Sequence, residues 1–145
     1  MRSKVLNENG EQTYAVIFES GEEVISGLTR FAEEQQLDAS RFTAIGAFSE
    51  VVLGYFDWEK KDYERIPMNE QVEVLSLIGD VALEGTRPKV HAHVVLGLRD
   101  GSARGGHLLE ARVRPTLEVI LIESLGYLKR EFDRESGLAL IRLGS

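Results

Sequence analysis

Val90-His91-Ala92-His93-Val94-Val95-Leu96-Gly97-Leu98 is the stretch from which the rest of the chain is read. Its β-branched content marks a strand, and Arg99-Asp100-Gly101-Ser102 after it is turn chemistry. In a strand, residues two apart share a face. Val90, Ala92 and Val94 therefore face a core, and His91 and His93 project side by side from the other surface, with Cβ atoms about 7 Å apart. Two imidazoles at that spacing can converge on one ion. The chain has 3 histidines, and the third, His107, follows Gly105-Gly106 just beyond the Asp100-Gly101 turn. That turn can fold the chain back and bring His107 beside the pair, the double glycine allowing close backbone approach. Three histidines with open coordination positions describe a catalytic-type metal site rather than a closed structural one. Spacing alone does not choose among Zn, Ni, Cu and Fe. The competing reading is a polar strand face whose histidines hydrogen-bond their neighbours.

Working outward, Thr13–Phe18 reads as a strand, and Ser20 with Glu23 three residues on has the form of a capping box. Val24, Ile25, Leu28, Phe31 and Ala32 then recur at helical spacing, which predicts a helix over 21–37. Phe42–Asp57 reads as a long strand interrupted by Gly46 and Gly54, and Trp58–Tyr63 as a turn into the next strand. Val72–Leu83, Thr116–Leu125 and Leu138–Leu143 read as further strands. His107-Leu108-Leu109 reads as a short segment, Gly85–Pro88 as a loop, and 126–134 as a turn or short helix. One helix among seven or more strands, without βαβ alternation, predicts a single α+β domain over 1–145 with an antiparallel-rich sheet of about seven strands. Several strands are apolar on both faces. One helix cannot cover both, so an oligomer is expected.

The 145 residues suffice for one domain with a real core. Without cysteine there is no disulfide framework, thiolate zinc site or Cys nucleophile, and a reducing, cytoplasmic setting is expected. No apolar run approaches the roughly 20 residues that span a bilayer, the start turns polar too soon to read as a signal peptide, and no membrane partner is expected. The net charge of −7 opposes the phosphate neutralisation on which nucleic-acid binding depends. The acidity is uneven: residues 1–90 hold 17 acids and 9 bases, residues 91–145 hold 7 and 8. The favoured reading is that helix faces and loops near the N-terminus are acidic for solubility; the alternative is a local basic pocket for a small anion in the C-terminal third.

Thr116, Glu118 and Ile120 share one strand face, and Leu117, Val119 and Leu121 the other. Glu118 in so apolar a strand is either ion-paired with an arginine or a pocket carboxylate able to act as acid or base. Thr116, Arg87 and Arg104 complete the candidate ligand pocket; the two arginines flank the histidine segment and suit a carboxylate or phosphate, the competing reading being that they are solvated loop residues. Dinucleotide, phosphate-loop and serine-hydrolase motifs are absent.

Arg87-Pro88, His91-Ala92-His93, Leu96, Asp100-Gly101, Gly105-Gly106-His107-Leu108, Val113 and Thr116–Ile120 together resemble the plants-and-prokaryotes-conserved (PPC) domain. Phe42–Ala47 and Gly54-Tyr55-Phe56 match in kind, so the resemblance covers nearly the whole chain; Ala111 departs from an expected glycine. The resemblance implies a compact α+β fold, a homotrimer, and a divalent metal, usually zinc, on His91, His93 and His107. It also implies fold kinship with acetolactate decarboxylase, a three-histidine zinc enzyme. Three functions follow as expectations. The first is a trimeric metal-binding domain that takes a small ligand. The second is a metal-dependent lyase or hydrolase with Glu118 moving the proton. The third is a DNA-associated or protein-interaction module like the plant AT-hook proteins. The AT-hook core is missing here, since Gly85-Thr86-Arg87-Pro88 has no basic flanks.

Overall fold

The computed structural model describes residues 1–7 and 10–143. Among them are nine strands and one helix: β1 (Arg2–Asn7), β2 (Gln12–Glu19), α1 (Val24–Gln35), β3 (Ala39–Asp57), β4 (Asp62–Met68), β5 (Val72–Glu84), β6 (Arg87–Gly97), β7 (Ala103–Glu123), β8 (Lys129–Phe132) and β9 (Ala139–Arg142). The fold is mostly sheet, 66% strand against 9% helix, which corrects the α+β expectation of about seven strands. The sheet has nine strands and is mixed, because β8 pairs in parallel with the end of β5.

Four local readings account for the difference. Arg2–Asn7, not read as a strand from its sequence, forms β1 against β2. His107 sits inside the 21-residue β7 rather than in a short segment of its own. Residues 129–132, expected as turn or helix, form β8, held between the end of β5 and β9 by backbone pairing rather than by apolar pattern. The helix is also shorter than expected. Glu23, not Ser20, caps it, accepting from the amides of Ile25 (3.1 Å) and Ser26 (2.6 Å). Ser20 instead donates its hydroxyl to the Pro115 carbonyl at 3.2 Å. Among the described residues no helix is long and apolar enough to cross a membrane.

The two long strands each act twice. The C-terminal half of β7 pairs with β2 and with the first half of β3, and its N-terminal half pairs with β6 and the second half of β3. Since β3 also pairs with β5, and β5 with β6, the strands β3–β5–β6–β7 close on themselves. Closure removes most free edges and encloses the core. Phe18, Phe48, Leu77, Leu96, Leu108 and Leu117 fill it, and α1 adds Leu28 and Phe31 while packing on β6 and β7.

So long a strand must bend, and register shifts in the β3–β7 ladder mark where it does. One lies at Gly46, whose φ is +154°. A Cβ there would stand 2.2 Å from the Thr116 carbonyl oxygen, a backbone atom that cannot step aside. Gly46→Ala is therefore expected to lower the unfolding free energy by about 2–4 kcal/mol. Chemical denaturation checks this, and an unchanged midpoint would contradict the close approach.

Candidate metal centre

Two tight connections set the register of the site. β5 and β6 are joined by Gly85-Thr86, with Glu84 opposite Arg87 and Gly85 at φ +64°. Glycine is the residue two-residue hairpin loops favour where φ is positive. Counting back from this loop puts Asp80 opposite His91 and Ile78 opposite His93. β6 and β7 are joined by the turn at Leu98–Ser102, where Asp100 accepts from the Ser102 amide (2.9 Å) and hydroxyl (2.6 Å). That turn puts His93 directly opposite His107. The double glycine fits its expected use: a Cβ at Gly105 would lie 2.9 Å from the Val94 carbonyl oxygen, and one at Gly106 3.0 Å from that of Gly54.

The three histidines converge. One ring nitrogen from each of His91, His93 and His107 lies within 4.8 Å of the others. Nε2 of His91 and Nε2 of His93 are 3.2 Å apart. Val90, Ala92 and Val94 face the core, as the alternation requires. Tyr63 stacks on His107 with ring centroids 4.4 Å apart, fixing the plane of that imidazole. His107 Nδ1 is buried and has no hydrogen-bond partner within the chain. An orphaned buried nitrogen costs free energy unless some acceptor or ion meets it. The donor set therefore fits a divalent metal, to which three neutral imidazoles can each offer one lone pair.

The electrostatics favour that neutral form. Burial, reinforced by the charges of His91, His93 and Lys89, pulls His107 down from 6.5 to about 4. Burial and then His91 also lower His93.

Behind His91 lies a carboxylate that the sequence reading did not single out. Asp80 Oδ2 is 3.7 Å from His91 Nδ1, the ring nitrogen turned away from His93. Its other oxygen accepts from Arg130 of β8, whose side chain is only 7% exposed. Burial, the largest influence, would raise Asp80; His91 and Arg130 outweigh it and hold the carboxyl below its usual range. At 3.7 Å the contact is electrostatic and longer than a hydrogen bond; drawn closer, Asp80 would stand where a carboxylate orients a metal-ligating imidazole. The signal for Asp80 was the Gly85-Thr86 loop, because a two-residue hairpin dictates the pairing. Arg130 left no comparable trace.

The other candidates lie elsewhere. Glu118 is exposed on β7, opposite Ile17 and Ile45, eleven residues of strand from His107. Thr116 donates its hydroxyl to the Phe18 carbonyl at 3.1 Å. Arg87 is exposed at the start of β6, and Arg104 is exposed opposite Leu96. None of the four is brought to the histidines within one chain. The cations that do approach them are Lys89 and Arg130, which line a cleft with His91 and His107.

A closed, bent sheet carrying three convergent histidines defines the class, and comparison gives the family. The chain belongs to the Plants and Prokaryotes Conserved (PCC) domain family, whose model matches residues 6–125. It is similar to the plant- and prokaryote-conserved (PPC) protein of Pyrococcus horikoshii, at 36% identity and TM-score 0.86 over 92% of each chain. It is also similar to the metal-containing protein AF0104 of Archaeoglobus fulgidus, at 35% identity and TM-score 0.85, over 97% of this chain and 99% of that one. A candidate DNA-binding protein of Ralstonia eutropha shares 25% identity at TM-score 0.84, over 90% of this chain and 91% of that one. A Staphylococcus aureus protein similar to alpha-acetolactate decarboxylase shares the fold alone, at 13% identity and TM-score 0.53, over 81% of this chain and 52% of that one. No curated protein sequence matches.

The His107 environment gives a pH prediction for the metal-free protein. Between about 4 and 6.5 the unfolded chain takes up the proton at this position and the folded chain does not. Folding stability from His107 is thus present above pH 6.5 and is lost as pH falls towards 4. An NMR titration of the ring is expected to show a midpoint near 4, and a midpoint near 6.5 would contradict the burial described here.

Proposed function

We propose that this protein is a homotrimeric domain that holds one zinc ion per chain on His91, His93 and His107 and offers that ion's open coordination position to a small ligand. The observation carrying the reading is the convergence of three imidazole nitrogens within 4.8 Å, one ring having a buried nitrogen without a partner. That a relative of 35% identity is described as metal-containing supports it. Three neutral nitrogen ligands plus an open position is the donor set of catalytic zinc. Zinc there supplies Lewis acidity towards an oxygen ligand. Within the chain, His91, His93 and His107 supply the lone pairs, Asp80 orients His91, and Tyr63 orients His107.

Metal content after identical purification and zinc loading tests the site. The parent is expected to hold one zinc per chain, and His93→Ala and His107→Ala to lose most of it. Equal stoichiometry and affinity in all three would remove the proposal. Asp80→Asn keeps all three ligands and is expected to weaken zinc binding about 10–100-fold. An unchanged affinity would show that Asp80 does not orient His91.

The trimer rests on one face of the sheet. Ile120, Thr43, Ile78, His93 and His107 follow one another across paired strands, so their side chains share a face. Ile45, Leu75, Ile78, Val95 and Ile120 are 43–60% exposed. Exposed apolar side chains gathered on one face favour association, and partner copies seated there would cover one side of the histidine cluster. Light scattering is expected to give about three times 16.2 kDa. Ile78→Glu is expected to shift the population towards monomer. A monomeric parent at micromolar concentration would overturn the assembly. Duplex DNA is not the proposed partner, since the net charge of −7 opposes counterion release.

A further inference from the structure

A cleft of about 370 Å³ opens beside His91 and His107. Its far wall is the C-terminal hairpin β8–β9, which begins after residue 125, where the family match stops. Leu138 and Leu140 come from that hairpin and its approach, and Leu109 from β7. The volume lies within the range of small-ligand pockets, and apolar walls with few polar groups are their usual lining.

The polar groups are unevenly placed. Arg130 reaches the cleft from β8, bonded to Asp80 and, at 3.2 Å, to the Ala139 carbonyl. Its Nε is buried with no partner in the chain. Lys89 stands at the rim, 60% exposed, 3.7 Å from the half-exposed Glu84. An exposed pair at that distance is weak and opens easily. Glu84 is the acid among the lining residues and stands beside Lys89, while Arg130 is paired with Asp80 behind His91 and keeps its buried Nε as an unused donor. Three neutral imidazoles leave both charges of a divalent ion uncompensated. Arg130, reaching over from β8, and Lys89 therefore stand at the histidine end, where the metal of the proposed site would lie, and Leu109, Leu138 and Leu140 supply the aliphatic lining.

We propose that the cleft binds a short aliphatic carboxylate, its anionic group towards the histidine site, Arg130 and Lys89, and its hydrocarbon chain against Leu109, Leu138 and Leu140. The hairpin is then the specificity wall, reading chain length. This inference rests on the metal reading above.

The test titrates zinc-loaded protein with butanoate, acetate and butan-1-ol by calorimetry, with zinc content measured on the same samples. Butanoate is expected to bind saturably, about tenfold tighter than acetate because of two additional buried methylenes. Butan-1-ol is expected not to compete. Leu140→Trp, at a 37% exposed position that tolerates bulk, is expected to abolish the preference for butanoate while sparing zinc content. Lys89→Ala, at the exposed rim, is expected to weaken both acids and leave their ratio intact. A zinc-loaded parent that binds no butanoate, or binds both acids equally, overturns the cleft assignment alone. So does a Leu140→Trp variant that keeps the preference. A parent that holds no zinc overturns the metal reading and this inference with it.

Discussion

The register of two consecutive hairpins is the constraint on which the site depends. Gly85-Thr86 fixes β5 against β6, and the Asp100-Gly101 turn fixes β6 against β7. A slip of one residue in either ladder would turn its histidines to the opposite face. The buried partners of the same strands prevent that slip. Val90, Ala92 and Val94 on β6, with Leu77 on β5 and Leu108 on β7, would all have to leave the core together. The core thus stabilises the site without touching it.

The site is costly in its own terms. It gathers three imidazoles at mutual distances where charged rings would repel, and lowers His107 and His93 so that they stay neutral. It buries an arginine and partners it with a carboxylate that faces His91. Buried polar networks of this kind add less to stability than well-packed apolar groups would. Their place beside a cleft, on a bend of a closed sheet, is what the proposed binding role accounts for and folding does not.

The parts of this arrangement legible in the sequence were those with a short-range rule. Alternation on residues 90–94 gave the shared face of His91 and His93, and the Asp100-Gly101 turn gave the return of His107. Alternation also gave the buried face of Leu117, Val119 and Leu121. The helix was visible in its apolar spacing, though its cap was misplaced by three residues: Glu23, read as the partner of a Ser20 cap, is itself the cap. The class was misread because 12 helical residues do not make a layer, and because β8 carries no apolar pattern. Asp80 was within reach of a hairpin count, whereas Arg130 depends on a parallel pairing between distant segments that no local rule announces. Glu118 was read correctly as facing away from Leu117 and Val119; it shares the outer face of the sheet with the histidines but stands eleven residues along β7 from His107.

The account stands on one claim, that the three histidines hold a single metal ion together. Anomalous diffraction at the zinc edge from zinc-loaded crystals tests it most directly. The expected result is one anomalous peak per chain among His91, His93 and His107, with zinc–nitrogen distances of about 2.0–2.1 Å. A peak bound elsewhere, a peak on only two of the three rings, or none after loading would contradict it.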